Sequence, residues 1–208
     1  MANNISKRLQ IIGDLVLPNS SVYDVGADHG QLEQYIASKV NKVVAVENKK
    51  GPFEILQKST KNILNCETLL CNGLEKLCID NDVIVVAGMG GSLIVDILSQ
   101  SKDKLQNIKQ IIVDAHRDIP LVRTEVSKLG FYINKEVIVK EKDRYYFVIS
   151  FLKGHKVYSD EEIEFGVRIT NDPLFNEYRE YEINRLMGIY SKSKDDEIIH
   201  RIERIKSL

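Results

Sequence analysis

Five short apolar runs, each followed by a stretch of helical period, constrain this 208-residue chain more than any other feature. The runs cover residues 22–25, 42–46, 68–71, 82–86 and 110–113, are rich in β-branched residues, and are too short for helices. Between them, apolar residues recur at helical spacing: Leu32, Tyr35 and Ile36, then Phe53, Leu56, Ile63 and Leu64, then Leu93, Ile94, Ile97 and Leu98, then Val122, Val126 and Leu129. Leu9, Ile12 and Leu15 mark an amphipathic helix before the first run. Ser92 stands where it can cap the helix after the fourth run, and Pro52 suits the first turn of the helix after the second. Strands alternating with helices fold as a parallel sheet with right-handed crossovers, so the chain reads as α/β.

Two further β-branched and aromatic runs follow, at 131–139 and 144–152. The link Lys140-Glu141-Lys142-Asp143 is short, so they pair antiparallel and close the sheet. Dehydrogenase-type sheets do not usually have such a pair, whereas methyltransferase-type sheets do. After Gly154 the pattern becomes purely helical. A short helix covers 160–167, a longer one follows Pro173 with Leu174, Tyr178, Tyr181 and Leu186, and a last one carries Ile198, Ile202 and Ile205 at coiled-coil spacing. The expected division is a cofactor-binding domain over 1–154 and a helical domain over 155–208.

Composition removes several function classes. No run of 18 apolar residues exists, so no membrane-spanning helix is expected. The first residues, Met1 to Arg8, lack the apolar core of a secretion signal, which places the protein in the cytoplasm. The cysteines Cys66, Cys71 and Cys78 have no paired spacing and read as reduced thiols, mostly core filler. His29, His116, His155 and His200 are scattered without ligand spacing, so no metal is expected. A formal net charge of −1 gives no bulk attraction to nucleic acid. From Gly154 onward nine Lys/Arg face twelve Asp/Glu, so a basic face belongs to the earlier part. Lys7, Arg8, Lys49, Lys50, Arg117 and Arg123 are its candidates.

Open α/β sheets bind ligands past the carboxyl ends of their strands. Four stretches lie there. The first is Asp24-Val25-Gly26-Ala27-Asp28-His29-Gly30. It lacks the Gly-x-Gly-x-x-Gly spacing of a pyrophosphate cradle, and Asp28 and His29 stand where bare N–H groups would be needed. An acid here can receive an ammonium group, as on the amino-acid end of S-adenosylmethionine. The second is Glu47, either a ribose acceptor or a surface acid at a helix start. The third is Asn72-Gly73, either an adenine contact or a plain turn. The fourth is Ala87-Gly88-Met89-Gly90-Gly91, whose glycines let a flat group lie on backbone, with Met89 packing on it or filling core. Asp114-Ala115-His116 poses the same question as His29: a ligand contact or a satisfied structural group. Tyr145 and Tyr146 alternate on the last strand, so one faces core and the other is free to stack on a base.

Asp24-x-Gly26-x-Asp28-His29-Gly30-x-Leu32 together with Ala87-Gly88-Met89-Gly90-Gly91 resembles the bacterial tRNA adenine-22 N1-methyltransferase family. The resemblance extends through Ile5-Ser6-Lys7-Arg8-Leu9, Gly51-Pro52-Phe53, Asn72-Gly73-Leu74, Glu164-Phe165-Gly166 and Pro173-Leu174-Phe175, almost the whole chain. It implies a Rossmann-like methyltransferase sheet of seven strands with a C-terminal helical coiled-coil domain. It also implies transfer of a methyl group from S-adenosylmethionine to N1 of an adenine in tRNA; the expected state is a monomer. Carried over residue by residue, Asp24, Gly26, Asp28, His29, Glu47, Asn72, Gly73, Ala87, Gly88 and Met89 surround the cofactor. Asp28 and His29 are the catalytic candidates. Lys7, Arg8, Gly90, Gly91, Arg117 and Tyr146 fall on the tRNA side. One departure stands out: members often carry Gln-Pro-Asn after the fifth strand, where this chain has Asp114-Ala115-His116. The rivals are a methyltransferase for a small molecule or protein, a non-catalytic tRNA-binding module and, last, a nucleotide-dependent oxidoreductase.

Overall fold

The computed structural model describes residues 5–78 and 80–208, which leaves the start of the N-terminal segment read above, Met1 to Asn4, outside. A seven-stranded sheet forms the centre, built from β1 (Ser21–Val25), β2 (Lys42–Glu47), β3 (Cys66–Leu70), β4 (Val83–Met89), β5 (Gln110–Ala115), β6 (Phe131–Glu141) and β7 (Arg144–Lys153). Their order across the sheet is β3-β2-β1-β4-β5-β7-β6. The first five strands are parallel, and β7 pairs antiparallel with both β5 and β6. The reversal of order between β1 and β4 opens a crevice at the carboxyl ends, as the expected fold class requires.

Helices α1 (Lys7–Leu15), α2 (Gln31–Ile36), α3 (Lys50–Thr60), α4 (Gly91–Gln100) and α5 (Ile119–Lys128) flank the sheet. One face buries Tyr23, Val44, Ile84 and Ile111 against Ile94, Leu98, Val122 and Val126. The other buries Val22, Val43, Val85 and Ile112 against Ile12, Leu32 and Ile36. Strands covered on both faces need no polar alternation, which is why their sequences are continuous apolar runs.

Several local expectations change. Leu64 lies beyond the end of α3 and is fully exposed, because the helix stops at Thr60. Leu93 points away from the sheet, since only Ile94 and Leu98 sit one turn apart on its inner side. Gly90 rather than Ser92 occupies the cap of α4, and the Ser92 hydroxyl donates to Asp118 Oδ2 at 3.1 Å. The β6–β7 hairpin is tighter than expected, with Glu141 paired directly to Arg144. Of the three cysteines only Cys71 is buried, and Cys78 is exposed.

Residues after Gly154 form α6 (Asp160–Phe165), α7 (Phe175–Ser193) and α8 (Asp196–Ser207). α7 and α8 pack on each other through Leu186, Ile202 and Ile205, with Phe165 of α6 beneath. Arg123, expected on a basic surface, is instead 1 % exposed. Its Nε donates to Glu136 Oε1 at 2.9 Å, and its Nη1 donates to the carbonyls of Ile163 and Glu164 at 2.7 and 2.9 Å. The other Glu136 oxygen accepts from the Val167 N–H at 3.0 Å. Asp172 and Tyr158 accept from the N–H groups of Ile138 and Ile133 on the edge strand β6. These bonds satisfy an otherwise open sheet edge with side chains from the helical part.

A candidate cofactor and acceptor pocket at the strand ends

The turn after β1 is held by the neighbouring strand: the N–H groups of Gly26 and Ala27 donate to the Val46 carbonyl at 2.8 and 3.0 Å. Gly26 and Gly30 both take left-handed backbone conformations, with φ of 79° and 71°. A Cβ on Gly26 would sit 2.5 Å from Met89 Cε, so the Met89 side chain lies across this turn from β4. A Cβ on Gly30 would meet Ser59 and Thr60 at 2.6 and 2.7 Å, so α3 closes against the turn.

β4 carries an irregularity between Ala87 and Met89, and Gly88 there has φ of 76°. A Cβ added to Gly88 would find no atom within 4 Å, so bare backbone faces open space. That space is a cavity of about 510 Å³ running along the ends of β3, β2, β1, β4 and β5. Asp24, Gly26, Asp28, His29, Glu47, Asn72, Gly73, Ala87, Gly88 and Met89 all line it. Of the tRNA-side candidates only Arg8 lines it; Lys7, Gly90, Gly91, Arg117 and Tyr146 do not. Arg117 flanks the loop close by, its Nε 3.0 Å from where a Cβ on Gly90 would stand. Tyr146 stands behind Arg8, whose guanidinium lies 4.4 Å from the centre of its ring. Its neighbour Tyr145 packs instead on Tyr178 and Tyr181 of α7.

Charge in the cavity is unevenly hydrated. Asp24 is buried, and loss of solvent pushes its carboxyl up to about 6, with a contribution from Glu47. Beneath it lies Glu33 of α2, fully buried, its carboxyl facing that of Asp24. Burial first, then the neighbouring Asp24, holds the Glu33 carboxyl well above its ordinary range. Sequence reading missed Glu33, although an acid between Leu32 and Ile36 on the inner side of α2 was a visible signal. Glu47 turns one oxygen toward the N–H groups of Asn48 and Lys49, at 3.0 and 3.3 Å. Asp28 and His29 lie at the mouth with 3.6 Å between His29 Nε2 and Asp28 Oδ2, both largely exposed.

At the β5 end, Asp114 is 1 % exposed. Burial pushes its carboxyl up, opposed by Arg8, whose Nη1 is 3.1 Å away. Among the described residues no group of His, Cys, Asp and Glu is arranged to hold a metal ion. No described helix is long and apolar enough to cross a membrane.

Residues 5–149 match a family model described as a methyltransferase domain. The chain is 33% identical over 152 residues to the tRNA (adenine(22)-N(1))-methyltransferase of Bacillus subtilis, an alignment covering 70% of this chain and 63% of that protein. The chain therefore spans a little under two thirds of that relative's length. The crystal structure of Streptococcus pneumoniae Sp1610, described as a putative tRNA (m1A22) methyltransferase, superposes with a TM-score of 0.91 at 26% identity over 98% of both chains. The same protein in complex with S-adenosyl-L-methionine gives 0.90. M. capricolum TrmK, solved with S-adenosyl-homocysteine, gives 0.85 at 26% identity over 98% of this chain and 96% of that one.

Proposed function

The chain belongs to the methyltransferase-domain family matched over residues 5–149, and from that premise we propose that it methylates N1 of an adenine in tRNA, at position 22, using S-adenosylmethionine. The observation that carries this reading is the single cavity spanning five strand ends, with room for a donor over β3, β2 and β1 and an acceptor over β4 and β5. Likeness along almost the whole chain to a structure described as a putative tRNA (m1A22) methyltransferase, free and with S-adenosyl-L-methionine, supports the choice of substrate.

The residues present suit the cofactor. Asp24 is a buried carboxylate facing a cavity, and an ammonium group there would supply the counter-charge that burial withholds. Glu47 and Asn72 would hold ribose hydroxyls and an adenine edge. Gly26 and Gly88 offer a flat floor beside Met89: a Cβ on Gly26 would strike the Met89 side chain, and one on Gly88 would strain the backbone at φ 76°. When bound, S-adenosylmethionine supplies an electrophilic methyl group. The chain's own task is then to hold the base and exclude water. Adenine N1 already carries a lone pair, so positioning rather than deprotonation sets the rate. Methylation leaves positive charge on the base, and the Asp28 carboxylate beside His29 would meet it at the cavity mouth. Because N1 is masked in a base pair, the adenine must enter unpaired or flipped.

In this division residues 1–154 carry the chemistry, and residues 155–208 brace the sheet edge and offer Arg179, Lys192 and Lys194 to RNA phosphates. Three cysteines free of disulfides suit a cytosolic enzyme.

The test is incubation of unmodified total tRNA with the protein and labelled S-adenosylmethionine, followed by nucleoside mass spectrometry. 1-Methyladenosine is the expected product; a methylated protein or small molecule in its place would favour the rival enzyme reading. His29→Ala is expected to lower turnover about tenfold or more while leaving cofactor affinity near wild type, since the side chain stands at the mouth. Full activity of that variant on unmodified tRNA would remove His29 from catalysis.

A further inference from the structure

The β5 end of the cavity holds a polar cluster that the donor site proposed above does not use. The sheet order sets β5 beside β4, on the side away from β1, β2 and β3, so this end adjoins the place left for the acceptor. Five side chains meet there. Asp114, buried, faces the Arg8 guanidinium, with 3.1 Å between Oδ2 and Nη1. Arg8 is held further by Glu141, whose Oε1 accepts from the Arg8 backbone N–H at 2.8 Å and whose Oε2 is 3.8 Å from Arg8 Nε. Arg8 Nη1 then reaches His116 Nε2 at 2.8 Å, and the imidazole also stands edge-on to Tyr146, with 5.5 Å between ring centres.

A guanidinium can only donate, so Nε2 of His116 is the acceptor of that bond. The ring proton is left on Nδ1. His116 is exposed and lines the cavity, and with Nε2 engaged its only remaining polar group is a donor. Adenine offers ring-nitrogen acceptors at N3 and N7 besides N1. A donor to N3 or N7 holds the base yet leaves the N1 lone pair free.

We propose that His116 holds the acceptor adenine by donating Nδ1–H to N3 or N7 of the base, with Arg8 and Asp114 as positioning residues that fix its tautomer and place. This rests on the tRNA adenine-N1 reading above and names a contact that would hold the purine ring while N1 stays free. Asp114 anchors Arg8 from below; Arg8 orients the ring; Tyr146 limits its rotation. An amide at position 116 would also present an N–H, whereas an aliphatic side chain would not.

The test uses the full chain, S-adenosylmethionine, and a tRNA assembled with adenosine, 7-deazaadenosine or 3-deazaadenosine at the acceptor position. His116→Ala is expected to lower kcat/KM on the adenosine tRNA about tenfold, the effect of one lost hydrogen bond to a ligand. Calorimetric S-adenosylmethionine affinity should stay unchanged. One of the two deaza tRNAs should lose a similar factor with the wild-type protein and nothing further with His116→Ala. His116→Asn should recover part of the loss. Arg8→Met, with His116 in place, should also erase the discrimination between adenosine and that deaza analogue, which a merely structural role for Arg8 would not do. If both deaza tRNAs lose as much with His116→Ala as with wild type, the proposal is overturned while the methyltransferase reading stands. If the wild-type protein forms no 1-methyladenosine on any tRNA, both fall.

Discussion

Arg123→Met is expected to destabilise the protein by about 3–5 kcal/mol, the cost of stranding one charge of a buried ion pair. Arg123 and Glu136 are 1 % and 0 % exposed at the side chain, so water cannot take over the lost bonds. The substitution also removes the donor to two backbone carbonyls at the end of α6. Arg123→Lys should rescue little, because a single ammonium cannot serve Glu136 and both carbonyls at once. Arg123→Met combined with Glu136→Leu should recover part of the loss, since no lone charge is then left inside. Urea unfolding followed by circular dichroism measures all three. A cost below about 1 kcal/mol for Arg123→Met would mean that the pair contributes no more than a surface one.

Asp24→Asn is expected to act in two opposite directions. In the cofactor-free protein it should raise stability at pH 7.5 by about 1–2 kcal/mol, because it relieves an acid raised by burial and by Glu47, an effect that the hydrogen bond from Glu33 only partly offsets. Cofactor affinity should fall about a hundredfold, as expected when one partner of a buried charged pair is removed. The pH dependence follows from the direction of the shift. The Asp24 carboxyl is raised from 3.8 to about 6, so its stabilising effect, carried by the protonated form, is complete below 3.8 and lost as pH rises through about 6. Wild-type stability should therefore decline relative to Asp24→Asn across that window, while wild-type affinity for S-adenosylmethionine should rise across it. Calorimetry at pH 5, 6 and 7.5 reads both. Equal affinity of the two proteins at pH 7.5 would remove Asp24 from the cofactor site.

The sheet was legible because each buried strand is a run of β-branched residues ending in a turn, and neither solvent nor distant contacts blur that signal. The same holds for the donor end, where glycines with positive φ stand at Gly26, Gly30 and Gly88. What stayed hidden depends on pairing across long separations. Arg123 resembled any surface arginine until Glu136 and the carbonyls of α6 were seen around it. Glu33 gave a local sign, an acid on an apolar helix side, but its meaning required Asp24 above it. Leu93 fitted the helical period of α4, yet its neighbour Ile94 occupies the inward direction and Leu93 borders the cavity. Asp114-Ala115-His116 was visible as a departure from a familiar pattern; its partner Arg8 lies more than a hundred residues earlier.

That separation bears on how the two halves of the pocket come into being. The end proposed for the donor draws on residues 24 to 89, joined by parallel strands close in sequence. The acceptor end needs the first helix to meet β5 and the β6–β7 hairpin, with 133 residues between Arg8 and Glu141. During synthesis the chain emerges from its N-terminus, so Arg8 leaves the ribosome early and waits for its partners. Closure of so long a loop is entropically late. In the proposed reading, the strands that would hold the methyl donor can therefore pair before the cluster that would grip a base is complete.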